Sequence, residues 1–246
     1  MTFEPRLTAT DMDGVPMLVD PGAPEVGAFV AFTGRRGGTS AAPWAELNLS
    51  DRVGDDAAAV ERNRKRVAAA LEVDAGRFRF ARQVHGSTLL MCDGSEPVLV
   101  GEADALATSS EIPVLGILTA DCVPVLIAGD RGVAAAHAGW RGLVAGVIEE
   151  AVAAIGSVRV AWVGPSIKAC CYEVGAEVVE AFRNAGLPVA DASHVDPGDA
   201  AVAALRRAGV THIAASEVCT ASHEGYYSYR RDGDTGRQGA FIGLVR

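Results

Sequence analysis

The stretch from Leu118 to Gly142, LTADCVPVLIAGDRGVAAAHAGWRG, limits the possible folds of this chain more than any other. It contains two short apolar runs, Val123 to Ala128 and Val133 to Ala136, which are separated by Gly129-Asp130-Arg131-Gly132. Apolar runs of this length, joined by a polar segment with glycines, are typical of two antiparallel strands and their turn. The stretch therefore predicts a β-hairpin.

Cys122 and His137 stand at the open end of this predicted hairpin. Cys122 directly precedes the first strand, and His137 directly follows the second. Antiparallel partners lie about 5 Å apart, so the hairpin brings thiolate and imidazole close enough to share a metal ion or a proton. We therefore expect this end of the hairpin to be part of an enzyme site.

The length and charge of the chain restrict its class. With 246 residues, 49% of them apolar, it can bury a large core, and we expect residues 1–246 to form a single domain. The net charge of -9 argues against non-specific nucleic-acid binding, which needs clustered Lys and Arg. Small molecules are the expected partners.

Targeting signals and cysteine usage indicate the compartment. The first residues, MTFEPRLTATDMDG, do not combine a basic start with an apolar core, and no run of about eighteen apolar residues occurs. We expect a cytoplasmic protein without a membrane segment. Five cysteines are an odd number in a chain of this size, which favours free thiols or metal ligands over a disulfide framework.

A helix is predicted from Ala57 to Leu71, and Arg64 occupies an unusual position on it. On the helical wheel Arg64 falls about 40° from Val60 and about 60° from Val67, inside the apolar stripe. A guanidinium that points inward needs an anion. The partner is either a carboxylate of the protein or one on a ligand.

The remaining patterns alternate between strands and helices. After Gly142, the spacing of Leu143, Val147, Ala151 and Ile155 predicts one amphipathic helix. Strands are predicted at Val15 to Val19, Val26 to Phe32, Val114 to Leu118, Val158 to Val163, Val210 to Ala214 and Ala240 to Val245. Because the alternation lacks strict βαβ regularity, the predicted fold class is a mixed α/β, α+β-like fold with helices packed outside the sheet.

Three potential metal ligands each lie beside a glycine or a turn: His85 in QVHG, Cys122 in TADC and His137 in AHAGW. Singly, such residues are more often structural. Together, two imidazoles and one thiolate with an open fourth position match a catalytic zinc site. The alternative without a metal is a Cys122 nucleophile with His137 or His85 as its base.

A set of motifs extends over nearly the whole chain. The motifs are QVHG, EADALAT, TADCVPVLI, AAAHAGWRG, GPSIKACCYEVG and SYRRDGDTGRQGAFIGL, extended by GGTS, LNLSDRVGDD and Asn63-Arg64. This set resembles the laccase-domain family, also called polyphenol oxidase-like or purine nucleoside phosphorylase proteins and associated with peptidoglycan editing.

The resemblance implies a fold, a metal site and an activity. The implied fold packs mixed sheets in an α-β-β-α arrangement and is related to a family of toxin cysteine hydrolases. The implied zinc ligands are His85, Cys122 and His137, with copper as a less expected metal. The implied reactions are phosphorolysis of adenosine, inosine, guanosine and methylthioadenosine, and deamination of adenosine.

Phosphorolysis needs an anion site beside the ribose C1′. Arg64 is the first candidate because of its helix phase. Arg141 is the second because it begins the helix after the hairpin, where backbone N–H groups favour phosphate. A salt bridge is the alternative for Arg141.

Asn48, in a long Gly-rich loop, is expected to close over a ligand. Asp121 either orients a ligand, carries a proton or shapes its turn.

Other residues have two interpretations each. Asp104 in EADALAT has the same alternatives as Asp121: it orients a ligand, carries a proton or shapes its turn. Cys170 and Cys171 are expected to be packed, with a redox role as the alternative. The C-terminal segment is predicted to form the surface of an amphipathic strand, with a wall that stacks on a purine as the alternative. Its residues are Tyr226, Tyr227, Tyr229, Arg230 and Arg231.

Three alternatives to a zinc-dependent phosphorylase and deaminase stay open. The first is a cysteine- or metal-dependent hydrolase or amidase acting on cell-wall precursors. The second is a copper-binding polyphenol oxidase, although five histidines without a His-x-His pair argue against a multicopper centre. The third is a non-enzymatic metal-binding module.

Overall fold

The computed structural model describes residues 3–245, which form thirteen strands and six α-helices. The strands are β1 (Thr8–Met12), β2 (Val15–Val19), β3 (Ala28–Thr33), β4 (Phe78–Arg82), β5 (Leu89–Met91), β6 (Leu99–Glu102), β7 (Ala105–Thr108), β8 (Val114–Thr119), β9 (Val123–Gly129), β10 (Val133–Ala138), β11 (Val158–Val163), β12 (Ile213–Ala215) and β13 (Gln238–Leu244). The helices are α1 (Ala57–Ala70), α2 (Trp140–Val144), α3 (Val147–Ala154), α4 (Ala176–Asn184), α5 (Pro197–Arg207) and α6 (Tyr229–Asp232).

The strands form two mixed sheets. The seven-stranded sheet has the order β1-β2-β3-β13-β8-β4-β6, and the six-stranded sheet has the order β12-β11-β9-β10-β7-β5. Most neighbours are antiparallel, whereas β4 is parallel to β6 and β8, β5 to β7, and β11 to β12. The predicted mixed fold class is therefore confirmed. The assignment of residues 1–246 to one domain stays a prediction.

Alternating side chains place the two sheets face to face with helices outside. In β9, Leu126 packs in the core between the sheets, whereas Val125 and Ile127 pack against α3, α4 and α5. Phe241 of β13 turns the other way, into the core beneath α1. Because strand side chains alternate between faces, each sheet contributes to two cores. The layers are therefore helix, sheet, sheet and helix.

The predicted hairpin is present as β9 and β10, with Val123 opposite Ala138 and Pro124 opposite His137. His137 lies inside β10 rather than after it. The turn depends on Gly132, which has φ +145°, and a Cβ there would overlap the carbonyl group of Thr108. A residue with a side chain is therefore excluded from this turn position.

The helix predicted after Gly142 is in fact two helices. Gly146 has φ +86° and separates α2 from α3. The apolar spacing continues across the break because Leu143 and Val147 both pack in the same core. A period of apolar residues therefore predicted the buried face correctly but not the interruption.

The C-terminal Tyr-rich and Arg-rich segment is not a strand, so that interpretation is wrong. Tyr227 is fully buried in a loop, and Tyr229 begins the short helix α6. The strand expected at Val210 to Ala214 begins later, at Ile213. Val210 is instead buried beside α5 in the core outside the six-stranded sheet.

Helix α1 spans Ala57–Ala70 and begins at Asp56, whose side chain accepts a hydrogen bond from the backbone N–H of Ala58. It is the longest helix of residues 3–245, and none of the helices in this range combines the length and the apolar character that a membrane crossing requires.

Truncation of Leu126 tests the core between the sheets. Leu126→Ala removes buried apolar volume, so we expect the free energy of unfolding to fall by about 2–5 kcal/mol. The matched control Leu99→Ala removes the same atoms from a side chain that is 44% exposed and is expected to change it by no more than about 0.5 kcal/mol. Urea denaturation measures both values, and equal losses would contradict the layered packing.

Candidate active site

Three connections that run from the seven-stranded sheet to the six-stranded sheet supply residues of the site. The chain passes from the seven-stranded to the six-stranded sheet between β4 and β5, between β6 and β7, and between β8 and β9. These connections carry His85, Asp104 and Cys122. Because β4, β6 and β8 run parallel, the chain leaves all three strands at the same end of the sheet. The fold therefore gathers residues that are distant in sequence.

His85, Cys122 and His137 form a compact group of potential ligands. Their candidate ligand atoms all lie within 4.8 Å of one another. The Sγ atom of Cys122 is 3.8 Å from Nε2 of His85, and the two imidazole rings meet edge to face with centroids 4.8 Å apart. His137 is buried, Cys122 half-buried and His85 exposed, so the group opens to one side.

Asp104 orients both histidines. Its fully buried carboxylate accepts hydrogen bonds from Nδ1 of His137 at 2.8 Å and from the backbone N–H groups of His85 at 2.9 Å and Gly86 at 2.7 Å. With Nδ1 of His137 engaged, Nε2 is left to face Cys122. His85 is held in the left-handed region, with φ +61°. Asp104 thus has a more central position than the sequence indicated.

Gly139, directly after β10, leaves room for the group. A Cβ at this position would lie 2.9 Å from Cδ2 of His85 and 3.3 Å from Sγ of Cys122. The first of these distances is shorter than real Cβ contacts, so a side chain would displace the His85 ring. The glycine in the AHAGW motif therefore has a steric explanation.

The charges of the group are strongly coupled. Burial raises the pKa of Cys122, but the positive charge of His137 and hydrogen bonds from both histidines outweigh it and lower this pKa to about 6. Burial lowers the pKa of His137, but the Cys122 thiolate and the Asp104 carboxylate outweigh it and raise this pKa to about 9. The thiolate form of Cys122, which metals and electrophiles require, is therefore favoured at neutral pH.

The donors fit a transition metal. Two imidazoles and one thiolate, with one open side, match three-ligand catalytic sites, and Asp104 supplies the outer carboxylate that such sites place behind a histidine. Both zinc and copper accept this combination of nitrogen and sulfur. The other three histidines lie elsewhere: His194 contacts Asp191, His212 contacts Glu4 and His223 contacts Gly225. Within residues 3–245 the histidines therefore do not assemble a three-copper cluster.

The group opens into a cavity of about 580 Å³. Four arginines and three aromatic residues line it: Arg52, Arg141, Arg230, Arg237, Trp140, Tyr172 and Tyr229. Across residues 3–245, none of the four guanidinium groups forms an ion pair with a carboxylate within 4.0 Å. In a chain of net charge -9, this cavity concentrates positive charge and is a candidate site for anions.

Aromatic rings and backbone carbonyl groups hold these arginines. The guanidinium of Arg141 lies 4.3 Å from the Trp140 ring centroid, and that of Arg230 lies 5.0 Å from the Tyr172 ring centroid. Arg237 donates to the carbonyl group of Thr235 at 2.8 Å. Burial lowers the pKa of Arg237, because removal from water disfavours the charged guanidinium.

Asp121 lines the cavity, but its carboxylate is already engaged. It accepts hydrogen bonds from Oγ1 of Thr220 at 2.6 Å, Oγ of Ser228 at 3.0 Å and the backbone N–H of Arg230 at 2.7 Å. Asp121 itself has φ +90°. These contacts fasten the C-terminal loop to the residue before Cys122, which favours a positioning role.

Arg64 and Asn48 lie outside the cavity lining. Arg64 points inward as its helix phase predicted, and its anion is a protein carboxylate: its NH2 nitrogen is 3.5 Å from Oδ1 of Asp51. The side chain of Asn48 is fully buried and accepts a hydrogen bond from the backbone N–H of Arg237 at 2.9 Å. Asn48 therefore supports a cavity arginine rather than closing over a ligand.

The sequence patterns do not indicate Arg52 or Arg237 as residues of the site, and they predict a strand at Arg230. Arg52 lies in a turn, Arg230 near the start of a short helix and Arg237 in the loop before β13, where no apolar period exists to show which way a side chain points. Arg237 stands in the quoted motif GRQGAFIGL, and that likeness was the only signal available. Cys170 is exposed, so the expectation that it is packed is wrong.

Comparison with known proteins identifies the family of the chain. The family model described as multi-copper polyphenol oxidoreductase laccase matches residues 29–245. Purine nucleoside phosphorylase SCO2081 of Streptomyces coelicolor is 43% identical over 240 residues, covering 89% of this chain and 96% of that protein. Purine nucleoside phosphorylase YfiH of Escherichia coli is 39% identical over 243 residues, covering 93% of this chain and 99% of that protein.

Solved structures share the fold. YlmD from Geobacillus stearothermophilus is similar with a TM-score of 0.87 and 32% identity, over 96% of this chain and 98% of that chain. The hypothetical protein YfiH of Bacillus licheniformis is similar with a TM-score of 0.87 and 28% identity, over 95% and 98% of the two chains. The chain therefore belongs to the laccase-domain family, and its relatives from Streptomyces coelicolor and Escherichia coli are named purine nucleoside phosphorylases.

Proposed function

We propose that this protein is a zinc-dependent purine nucleoside phosphorylase that also deaminates adenosine. The observation that carries the proposal is a group of three potential metal ligands that opens into a cavity lined by four arginines, none of which pairs with a carboxylate among residues 3–245. A phosphorylase needs a site for inorganic phosphate, and unpaired guanidinium groups bind phosphate through charge and paired hydrogen bonds. The names of the relatives support the same activity.

Arg141 and Arg237 are the arginines that we assign to phosphate. Both line the cavity together with Cys122 and His137. Arg237 is half-buried whereas Arg230 is exposed, so solvent screens the charge of Arg237 less. The reaction joins a phosphate oxygen to C1′ of the ribose while the bond from C1′ to the purine nitrogen breaks. The products are ribose 1-phosphate and the free base.

The aromatic side chains of the cavity are assigned to the purine. Tyr229 is 61% exposed at the cavity, and Tyr172 and Trp140 lie beside it in the lining. Aromatic faces stack on any purine with little regard to its substituents. Such recognition agrees with a substrate range of adenosine, inosine, guanosine and methylthioadenosine.

His85, Cys122 and His137 are the residues that would hold zinc. Zinc bound there would supply a Lewis acid beside the substrate and would promote attack by water. In deamination, water adds at C6 of adenosine and the amino group leaves as ammonia, which gives inosine. The protein contributes the oriented imidazole of His137, fixed by Asp104, and a cavity that accepts either water or phosphate as nucleophile.

A second candidate is a cysteine hydrolase or amidase. Asp104, His137 and Cys122 follow one another as carboxylate, imidazole and thiolate, which is the arrangement of a nucleophile with an oriented base. Cys122→His separates the two functions because histidine can bind zinc but cannot form a thioester. Hydrolysis of amide substrates that survives this change would eliminate the cysteine mechanism.

The main test is incubation of the purified protein with adenosine, with and without phosphate. We expect adenine and ribose 1-phosphate with phosphate, and inosine without it. His85→Ala removes a zinc ligand, so metal content and both reactions should be lost. The control His223→Ala removes an exposed histidine outside this cavity and should retain both. Chromatography of the products and elemental analysis decide the outcome, and absence of both products from the unaltered protein refutes the proposal.

Arg237→Met tests the phosphate assignment. Loss of a hydrogen bond to a charged group costs about 1.5–3 kcal/mol, so we expect KM for phosphate to rise roughly 10- to 100-fold. Deamination, which uses no phosphate, should change much less. Arg159→Met, at an exposed arginine outside the cavity, is the control. An unchanged KM for phosphate in Arg237→Met would show that Arg237 does not bind phosphate.

Asp104→Asn tests the role of the carboxylate behind His137. An amide is a poorer acceptor for Nδ1 of His137 and the nearby backbone N–H groups, so zinc affinity should fall about 10- to 100-fold. Asp191→Asn is the matched control, because Asp191 contacts Nδ1 of His194 at 3.0 Å outside the site. Competition with a zinc-binding dye measures both affinities. Equal affinities in the two variants would show that Asp104 does not act on the ligands.

A further inference from the structure

A second group of ligands lies outside the cavity. The Sγ atoms of Cys170, Cys171 and Cys219 all lie within 4.8 Å of one another, and those of Cys170 and Cys171 are 3.6 Å apart. Cys219 is buried, Cys171 half-buried and Cys170 exposed. None of the three lines the cavity of the first site. The group is therefore reachable from solvent by a route of its own.

The backbone brings these thiols together from two distant segments. Cys219 forms a parallel β-bridge with Ser166, and its Sγ atom accepts a hydrogen bond from the backbone N–H of Lys168 at 3.4 Å. The chain then turns tightly, because the N–H of Cys171 donates to the carbonyl group of Lys168 at 2.9 Å. The turn folds Cys170 and Cys171 back over Cys219.

The sulfur positions fit a shared ion better than a disulfide. Cα atoms of neighbouring residues are about 3.8 Å apart, below the range of about 4.4–6.8 Å found for disulfides, so a bond between Cys170 and Cys171 is disfavoured. A pairing of either residue with Cys219 would leave the third thiol unused. Three thiolates arranged in a plane around one metal at about 2.3 Å lie roughly 4.0 Å from each other. The observed 3.6 Å is close to that separation.

The composition of the group selects the ion. All three donors are sulfur, and within residues 3–245 no histidine or carboxylate joins them. Structural zinc sites are closed by four protein ligands, whereas soft thiolates select Cu(I), which three thiolates satisfy. We propose that Cys170, Cys171 and Cys219 form a second metal site, specific for a thiophilic monovalent ion of the Cu(I) class.

Binding at this site is a proton-for-metal exchange without electron transfer. The thiols lose their protons to solvent as sulfur-to-copper bonds form, and copper stays in the monovalent state. The bound group carries net negative charge, which the N–H of Lys168 at Cys219 partly offsets. The guanidinium of Arg230 also lies near, 3.4 Å from the carbonyl oxygen of Cys171. The site is independent of the proposed phosphorylase activity.

The test is a Cu(I) titration of the reduced full-length protein under anaerobic conditions, in competition with a chromophoric chelator. Cys122→Ser serves as the parent, because it removes the thiolate of the first site. We expect one equivalent of Cu(I) with thiolate-to-copper absorption in the ultraviolet. Adding Cys219→Ser or Cys170→Ser should weaken binding roughly 100-fold or more, since even outer-shell changes cost about 10- to 100-fold.

Cys92→Ser in the same parent is the matched control, because Cys92 is buried in the core between the sheets and away from the group. It should bind Cu(I) like the parent. Cys170 is exposed, so its substitution provides a variant in which loss of binding does not reflect misfolding. Equal affinity of parent and Cys170→Ser would overturn the proposal. A preference for Zn(II) over Cu(I), or a disulfide among the three cysteines in excess reduced glutathione, would also overturn it.

Discussion

The buried carboxylate of Asp104 accepts hydrogen bonds from the His137 imidazole and from the backbone N–H groups of His85 and Gly86. These partners come from different sheets, because His85 follows β4 and His137 lies in β10. A buried carboxylate without donors would be costly, so the donors and the acceptor require one another. These hydrogen bonds fix the distance between the two histidines, and the geometry of the candidate metal site depends on that distance.

Asp121 holds the other side of the site in a similar way. Its carboxylate binds Thr220, Ser228 and the backbone N–H of Arg230, all from the C-terminal part of the chain. The same loop continues to Arg237, which faces the cavity. One aspartate therefore orders the ligand group and the other orders the arginines. Both stand in connections where the chain passes between the sheets, so the fold and the site are built by the same residues.

The electrostatics of the site differ from those of the molecule. The chain carries a net charge of -9, yet the cavity is lined by four arginines, and the carboxylate of Asp121 accepts hydrogen bonds from Thr220, Ser228 and the backbone of Arg230. The guanidinium groups of Arg141 and Arg230 are held by stacking on the rings of Trp140 and Tyr172. An arginine that is held by rings and carbonyl groups keeps its charge available for a ligand. The charge of this lining is therefore opposite in sign to the net charge of the chain.

The sequence by itself determined the local elements and indicated His85, Cys122 and His137 as candidate ligands. The β9–β10 hairpin, the inward phase of Arg64 and the buried face that continues from α2 to α3 all follow from apolar spacing, which is a property of neighbouring residues. The tertiary structure alone decided which distant residues meet. Asp51 as the partner of Arg64, Asp104 behind His137, and Arg237 in the cavity all depend on turns and on crossings between the sheets. Their side-chain directions follow from packing and hydrogen bonding across the two sheets, and no period along the chain encodes them.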